Sequence, residues 1–325
     1  MKTLKIRDKS SYICHDQQGY KGLRKETCGA MIKLSYGGGM HMLYHPLGKT
    51  GIRTSAVVFG GIINTNETQA QANEYVARAI DAGINYFDVA PTYGNAEERL
   101  GPALAPYRKD VFLACKTEER SAKGAQEKLE DSLRKLGTDY FDVYQLHALT
   151  TDEDLDRAFG SGGAMETILK AKRDGVIRNI GFSAHNEDIA LRALSMFDFD
   201  TVLFPLNWAL GIQRGWGDRI SEAVKEKGIG LLGMKSLVRR KWREGEERLY
   251  PKSWCQPIWG NEALSVAAMK YAVLKGAQTL VPPGNFEHFS FMLDHVDRCY
   301  TEALTEEEWV MLRREAEEAA NELIF

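Results

Sequence analysis

The 325-residue sequence is poor in cysteine, in long apolar runs and in net charge. Its five cysteines include no CxxC pair, so neither a disulfide framework nor a metal site is predicted, and a reducing cytoplasm is the simplest setting. Nowhere do about 18 apolar residues follow one another, so we expect a soluble protein with no membrane partner. A formal charge of −3 gives no electrostatic reason to expect a nucleic-acid partner.

The first 40 residues mix charges and turn formers, including Gly37–Gly39, without helical or alternating periodicity. We interpret residues 1–40 as a poorly ordered N-terminal extension, and Met31 and Met40 leave open a later start of translation. Residues 41–325 are expected to form one domain, because an α/β barrel takes about 250 residues as a single unit.

From Tyr44 onward, short β-rich apolar runs alternate with amphipathic segments, as in βα units around a parallel sheet. The predicted strands are Ser55–Phe59, Ile84–Val89, Val111–Lys116, Phe141–His147, Ile177–Ser183, Thr201–Phe204, Ile229–Met234 and Thr279–Val281. The predicted helices include Gln69–Ala82, Ala122–Leu136, Met165–Arg173 and Ala263–Leu274. Glycines that follow helical segments and suit left-handed caps are Gly83, Gly137, Gly175 and Gly228. Eight such units predict a (β/α)8 TIM barrel, followed by a C-terminal helix that begins near Thr305.

Four polar residues stand at or just after the ends of predicted strands, where barrel enzymes carry their catalytic groups. Asp88 ends the second strand and Tyr93 follows in its loop, whereas Lys116 ends the third strand and His147 the fourth. Because each charge would lose hydration if buried alone, we expect Asp88 and Lys116 to pair. Each residue alone has a structural explanation, such as a helix cap or a core histidine. Their placement on three successive strand ends favours a catalytic site.

The phenol of Tyr93 gains a chemical role from the neighbouring ammonium. A free phenol, with a pKa of about 10, is a weak acid, and Lys116 is expected to bring the pKa of Tyr93 closer to working pH. His147, placed across the pocket, is expected to hydrogen-bond a substrate carbonyl and to stabilise the charge that develops on its oxygen.

Three segments around these residues resemble the aldo-keto reductase family. Asp81–Gly101 (DAGINYFDVAPTYGNAEERLG) is similar to the signature around the family's catalytic Asp and Tyr. Ser132–His147 (SLRKLGTDYFDVYQLH) resembles the signature that ends in the catalytic His, and Leu113–Thr117 (LACKT) supplies the Lys. The similarity covers roughly three quarters of the chain. It implies an oxidoreductase barrel whose catalytic residues are Asp88, Tyr93, Lys116 and His147.

The resemblance also implies a nicotinamide cofactor, NAD(H) or NADP(H). Gly175–Ser183 (GVIRNIGFS) matches the segment whose Ser hydrogen-bonds the nicotinamide carboxamide, so Ser183 is carried over. The Asn that commonly follows is replaced, and a common Gln aligns with Leu203, which leaves His185 and Asn207 as candidate substitutes.

The seventh predicted strand carries a methionine where the family often has an aromatic ring stacked on nicotinamide. The segment Gly228–Leu237 (GIGLLGMKSL) places Met234 there, and its polarizable thioether suits contact with an aromatic face. Lys235 follows and is expected to reach the cofactor pyrophosphate as a point charge. No GxGxxG follows a strand, so a Rossmann domain is not predicted.

The eighth unit, Val281–Asp294 (VPPGNFEHFSFMLD), lies where the family usually places Lys or Arg for the adenosine 2′-phosphate. Those positions read Gly284 and Ser290 here, and Glu287 adds a negative charge. From this unit, Gly284, Asn285 and Asp294 are expected to contact the cofactor.

The missing basic residues bear on the choice of cofactor. Because a dianionic phosphate needs cationic donors, we expect NAD(H) to bind at least as well as NADP(H). Lys235, Arg239 or Arg240 in the preceding loop are the alternative sources of positive charge.

The sequence therefore predicts an oxidoreductase that moves hydride between a nicotinamide cofactor and a small aldehyde, ketone or sugar-like carbonyl. Two alternatives stay open: a nicotinamide-binding regulatory or redox-sensing barrel without turnover, and a redox-neutral NAD-dependent enzyme that converts a sugar. The loops over Phe204–Gly217 and Leu237–Trp259 are expected to set specificity, with tryptophans that either line the pocket or anchor the loops. These tryptophans are Trp208, Trp216, Trp242, Trp254 and Trp259.

Overall fold

The structure, a computed structural model, describes residues 42–325, and the extension predicted over residues 1–40 lies outside them. The described chain begins with an antiparallel hairpin of β1 (Tyr44–Pro46) and β2 (Arg53–Ser55). An eight-stranded parallel sheet follows, with its strands in the order of the chain. Its strands are β3 (Phe59–Gly60), β4 (Tyr86–Asp88), β5 (Phe112–Thr117), β6 (Phe141–Leu149), β7 (Ile177–Ala184), β8 (Thr201–Pro205), β9 (Gly230–Met234) and β12 (Thr279–Val281).

Backbone contacts between the residues just before β3 and the last strand close this sheet into a barrel. Val57 forms a parallel bridge with Leu280, whose N–H donates to the carbonyl of Ala56 (2.9 Å). The predicted (β/α)8 architecture is therefore confirmed. A separate two-stranded ribbon, β10 (Val238–Arg240) and β11 (Gln256–Pro257), lies between β9 and β12 in the chain.

Helices connect the strands, and most of them begin at a side-chain cap. Thr68, Ser121, Asn186 and Asn261 each accept a hydrogen bond from a backbone N–H in the first helical turn, as N-cap residues do. The helices are α1 (Gln69–Asp81), α2 (Ala96–Leu104), α3 (Ala122–Leu136), α4 (Asp152–Phe159), α5 (Ala164–Arg173), α6 (Glu187–Met196), α7 (Trp208–Arg214), α8 (Asp218–Lys227), α9 (Glu262–Leu274), α10 (Phe286–Thr301) and α11 (Glu306–Glu318). No helix within residues 42–325 is long and apolar enough to cross a bilayer.

The predicted helix ends agree closely with the structure. Gly137 and Gly228 are left-handed C-caps, and Gly83 and Gly175 follow the caps of their helices with positive φ. The C-terminal helix α11 begins after Thr305, which forms a capping box with Glu308.

The first predicted strand, Ser55–Phe59, is wrong in its bounds. Ser55 ends β2 of the hairpin, where its N–H donates to the side chain of Asn85 (2.7 Å), whereas the barrel strand begins only at Phe59. The residues from Ala56 to Phe59 are all buried, so apolar periodicity could not separate a hairpin strand from a barrel strand.

Apolar side chains fill the barrel at the N-terminal ends of its strands. Leu47 and Ile52, from the β1–β2 hairpin, pack with residues such as Val58 and Leu232 in one buried cluster. The turn that carries Leu47 approaches β9 so closely that a Cβ on Gly48 would lie 2.2 Å from the backbone nitrogen of Gly230. This end is therefore plugged, and the accessible end is the C-terminal one.

Candidate active site

The C-terminal ends of β4, β5 and β6 bring three of the predicted catalytic residues together. Asp88 is the last residue of β4, Lys116 lies one residue before the end of β5, and His147 lies near the end of β6. Tyr93 follows in the loop after β4, where its N–H donates to the carbonyl of Ala90 (3.1 Å). Parallel pairing of these strands places all four side chains at one edge of the sheet.

Lys116 is fully buried, and its ammonium is the centre of this cluster. It pairs with the Asp88 carboxylate and donates to the carbonyl of Val89 (3.2 Å) and to the hydroxyl of Tyr93 (3.4 Å). Burial alone would lower the pKa of Lys116, but the carboxylate of Asp88 and the phenol of Tyr93 raise it above its usual value. The lysine therefore keeps its charge.

Gln145 belongs to the same cluster and was missed by the sequence analysis. Its Nε2 donates to the free oxygen of Asp88 (3.0 Å), which fixes the carboxylate from the side opposite Lys116. Gln145 stands two residues before His147 on β6, so the alternation of side chains along a strand places both on one face. That spacing was the signal that could have found it.

The hydroxyl of Tyr93 is held in its protonated form. Burial raises the pKa of Tyr93, the ammonium of Lys116 opposes that increase, and Asp88 adds to it. The expected net decrease is therefore wrong, because burial outweighs the one favourable charge. A buried, protonated phenol can donate its proton. The adjacent ammonium of Lys116 would then stabilise the phenolate that remains.

His147 is a neutral imidazole across from Tyr93. The two rings meet edge to face with their centroids 5.9 Å apart, and Nδ1 of His147 lies 3.4 Å from Oγ1 of Thr92. Burial, followed by the charge of Lys116, lowers the pKa of His147 to about 3. A neutral ring can donate a hydrogen bond from one nitrogen while the other accepts from Thr92.

A cleft of about 90 Å³ opens beside these groups. Asp88, Tyr93, Leu203, Met234 and Lys235 are among its lining residues, so it joins the tetrad to part of the predicted cofactor site. No group of His, Cys, Asp and Glu side chains among residues 42–325 has the arrangement of a metal site.

Ser183 and Asn207 differ in whether a hydrogen-bonding group of the side chain remains free for a ligand. The hydroxyl oxygen of Ser183 accepts from the N–H of Ala148 (2.8 Å), so its own proton remains available to a ligand. The amide of Asn207 is fully engaged, because it accepts from Leu210 and donates to the carbonyls of Lys235 and Val238. Asn207 therefore fixes the start of the β9–β10 loop.

Lys235 and His185 converge on the aromatic ring of Phe325. The ammonium of Lys235 lies 4.6 Å from the ring centroid, and the imidazole of His185 stacks at 5.3 Å. Burial lowers the pKa of both groups, that of His185 to about 4. The position of Phe325 could not be predicted from sequence, since no local pattern connects it to β7 or β9.

Residues of the eighth unit divide between the cleft and other surroundings. Gly284 lines the cleft, and a Cβ there would lie 2.5 Å from the carbonyl oxygen of Lys252, so a larger residue has no room. Asn285 instead donates to the hydroxyl of Ser253 (3.0 Å), and Asp294 is exposed in the middle of α10. Neither of these two lines the cleft.

Among the described tryptophans, Trp254 is the one that lines the cleft. It is 64% exposed, and its ring lies 5.7 Å from that of Tyr93. Trp208 is instead buried in a separate core cluster, and the indole N–H of Trp242 donates to the carbonyl of Ser253. In these loops Trp254 therefore forms one wall of the cleft, whereas Trp208 and Trp242 hold the loops against the rest of the protein.

The family model described as "Aldo/keto reductase family" matches residues 56–267. The uncharacterized oxidoreductase YqkF of Bacillus subtilis is 33% identical over 138 residues, which are 38% of this chain and 43% of that protein. L-galactose dehydrogenase of Arabidopsis thaliana is 29% identical over 213 residues, which are 59% of this chain and 64% of that protein. The chain thus matches between 43% and 64% of the length of these curated relatives.

A solved structure extends the similarity over more of the fold. The holo form of an aldo-keto reductase from Bacillus halodurans superposes with a TM-score of 0.64 and 23% identity. The match covers 86% of this chain and 96% of that one. At this identity the likeness establishes the barrel fold alone.

Proposed function

The chain belongs to the aldo/keto reductase family, and from that premise we propose that it reduces or oxidises a small aldehyde, ketone or sugar-like substrate with a nicotinamide cofactor. The observation that carries this proposal is the buried ammonium of Lys116, which contacts both the carboxylate of Asp88 and the hydroxyl of Tyr93. The alternative of a regulatory barrel without turnover has no comparable observation in its favour.

The residues beside the cleft suit a bound nicotinamide. Ser183 has a hydroxyl proton free for a carboxamide oxygen, and Met234 offers a polarizable surface for an aromatic ring. When bound, the nicotinamide supplies or takes up the hydride.

The side chains of this protein donate the proton and stabilise the charge that develops on the carbonyl oxygen. In the reducing direction, the carbonyl carbon gains hydride and the phenol of Tyr93 gives its proton to the carbonyl oxygen, which yields an alcohol. The ammonium of Lys116 stabilises the phenolate that remains, until a proton from water restores it. The neutral imidazole of His147 orients the carbonyl by a hydrogen bond, and the ring of Trp254 covers one side of the substrate.

A carbonyl panel with purified full-length protein tests this function through the change in cofactor absorbance. We expect turnover with some member of the panel and its loss in Tyr93→Phe, by about 100- to 10,000-fold, because general acid catalysis is removed. Cofactor binding, followed by quenching of protein fluorescence, is expected to persist in the variant. Turnover by Tyr93→Phe at the wild-type rate would contradict the proposed role.

For the cofactor, we infer that NAD(H) binds at least as well as NADP(H). Two of the three alternative cations already have carboxylate partners: Arg239 pairs with Glu315 (3.0 Å) and Arg240 with Glu246 (2.8 Å). The third, Lys235, lies against the ring of Phe325. Gly284, at a position where the family usually has a basic residue, packs against the backbone of Lys252. Two missing charge-assisted hydrogen bonds, each contributing about 1.5–3 kcal/mol, correspond to more than about a hundredfold in affinity for the 2′-phosphate form.

Titration of the protein with NADH and with NADPH tests this inference. We expect Kd for NADH to equal or fall below Kd for NADPH, and the ratio to be unchanged in Arg239→Ala and Arg240→Ala. A strong preference for NADPH that either substitution removes would contradict it and assign the phosphate to this loop.

A further inference from the structure

The strand that carries His147 ends in a local irregularity. Pairing of β6 with β7 is regular up to Leu146 opposite Phe182 and resumes at Leu149 opposite Ala184, so two residues of β6 face one of β7. Such a bulge redirects the side chains beside it. Ala148 lies within the bulge at φ +52°, a left-handed conformation that is unfavourable for a residue with a Cβ.

The peptide groups of this bulge are held from two sides. Ser183 accepts from the N–H of Ala148, as described above. On the other side, Nη2 of Arg120 donates to the carbonyl of His147 (2.7 Å) and contacts that of Ala148 (3.3 Å). The strained backbone conformation therefore persists because both its donor and its acceptors are occupied.

Arg120 reaches this point from the loop after β5, four residues beyond Lys116. Its Nη1 donates to the carbonyl of Glu118 (3.1 Å), and its Nε pairs with the carboxylate of Asp154 (3.0 Å). Asp154 is fixed in turn by the N–H and hydroxyl of Thr150. The guanidinium is 8% exposed, so one buried cation connects the chain just after Lys116 to the chain at His147.

We propose that Arg120 is a positioning residue that sets the distance between His147 and the Lys116–Tyr93 pair through the bulge at Ala148. The inference rests on the proposed carbonyl chemistry, because it assigns the alignment of the two groups that would bind one carbonyl oxygen. Only a guanidinium has enough fixed N–H donors to serve two backbone segments and a carboxylate together.

Arg108 provides a matched control on the other end of the same two strands. It is similarly buried, donates to the carbonyls of Val111 (3.1 Å) and Tyr140 (2.8 Å), and pairs with Asp142 (3.1 Å). It therefore joins the beginnings of β5 and β6 as Arg120 joins their ends. Loss of either arginine removes a comparable set of contacts, but only Arg120 contacts the backbone of a proposed catalytic residue.

The experiment compares Arg120→Met, Arg120→Lys and Arg108→Met in the full chain, with kcat, KM and Tm measured for each. In Arg120→Met we expect kcat to fall by about 10- to 100-fold with KM changed by less than about threefold, since misalignment affects the transition state more than binding. Arg108→Met is expected to lower Tm by a similar amount and to change kcat by less than about twofold. Arg120→Lys keeps a charge for Asp154 but loses backbone contacts, so it should recover most of Tm and a smaller part of kcat.

A second substitution separates alignment from general destabilisation. Glycine adopts positive φ without strain, so Ala148→Gly in the Arg120→Met background is expected to restore part of kcat. If kcat in Arg120→Met falls no further than in Arg108→Met, or if Ala148→Gly gives no recovery, the positioning role is wrong.

The imidazole resonance of His147, assigned with His147→Asn, tests the same inference without any turnover. We expect this resonance to move in Arg120→Met and to stay in place in Arg108→Met. If the wild-type protein shows no turnover but the His147 resonance moves only in Arg120→Met, the proposed function is wrong and the positioning role is retained. Wild-type turnover with an unmoved resonance in Arg120→Met would contradict the positioning role alone.

Discussion

At the N-terminal ends of its strands the barrel is closed by apolar side chains, whereas at the C-terminal ends it holds buried charges and neutral histidines. Leu47 and Ile52 plug the first end, and Lys116, Asp88 and His147 occupy the second. A wide groove beside Gly48 also opens at the first end, but it is lined by lysines and carboxylates on helix surfaces without a buried titratable cluster. The difference agrees with a barrel in which one end serves stability and the other serves chemistry.

The two ends also differ in how they use left-handed backbone. Glycines supply it where helices return to the N-terminal ends of strands, as at Gly137 and Gly228. Within residues 42–325, the non-glycine residues with positive φ are Asn66, Ala148 and Lys235. Ala148 lies near the C-terminal end of β6, and the other two follow the C-terminal ends of barrel strands. Strain that glycine would relieve is thus retained at Lys235, which lines the cleft, and at Ala148, which follows His147.

The largest expected effect is at the charged end. Lys116→Met removes the cation that stabilises the Tyr93 phenolate, so we expect kcat to fall by about 100- to 10,000-fold. The substitution also leaves Asp88 buried without its partner, at a cost of about 3–5 kcal/mol in the free energy of unfolding. Adding Asp88→Asn should restore stability but not kcat. If the folded double variant Lys116→Met, Asp88→Asn turns over at nearly the wild-type rate, the C-terminal end is not the catalytic end.

The next effect is at the plugged end and concerns stability alone. Gly48→Ala introduces a Cβ at φ +50° against the backbone of Gly230, so we expect the free energy of unfolding to fall by about 3 kcal/mol. Because this turn lies far from the cleft, kcat of the folded fraction should stay within about twofold of wild type. Denaturant unfolding and steady-state kinetics measure the two quantities. A large loss of kcat would show that the two ends are coupled.

A pH series tests the C-terminal end of the barrel through its two buried histidines. The pKa of His147 is lowered to about 3 and that of His185 to about 4, below the value of about 6.5 in the unfolded chain. The unfolded state therefore binds more protons, and stability present above about pH 6.5 is lost progressively as pH falls toward 4. We expect His185→Phe, which keeps a ring against Phe325, to reduce that loss by about 3 kcal/mol at pH 4. An unchanged slope of stability with pH would contradict the buried neutral state of this histidine.

The smallest effect is expected at a helix cap of the plugged end. Gly228 has φ +64° and open space around its missing Cβ, so Gly228→Ala adds backbone strain but no clash. We expect about 1–2 kcal/mol of destabilisation and no change in kcat. Thermal unfolding of the variant checks this, and a loss comparable to that of Gly48→Ala would mean that strain alone, without the clash, explains both.

Much of the difference between the two ends of the barrel could be predicted from sequence, because it depends on patterns within short segments. The βα alternation, the glycine caps and the polar residues at strand ends gave the barrel and brought Asp88, Lys116 and His147 to one edge. The bounds of the first strand could not be found, since its apolar run is continuous with that of the hairpin.

What the sequence could not supply are contacts between distant loops. Arg120 and His147 are 27 residues apart, and Lys252 donates to the carbonyl of Ile63 across 189 residues. The direction of the pKa of Tyr93 was also missed, because it depends on burial that a list of neighbouring charges does not contain. Such quantities require the packed structure.

The closure of the barrel has a consequence for the protein during its synthesis. The hydroxyl of Thr279 donates to the carbonyl of Ser55 across 224 residues, at the seam that joins β12 to β3. At about 5–20 residues per second, a ribosome needs roughly 10 to 45 s to make the chain between these two partners. For that interval the first barrel strand has an unpaired edge, which is where a nascent chain is open to wrong pairing and most in need of a chaperone.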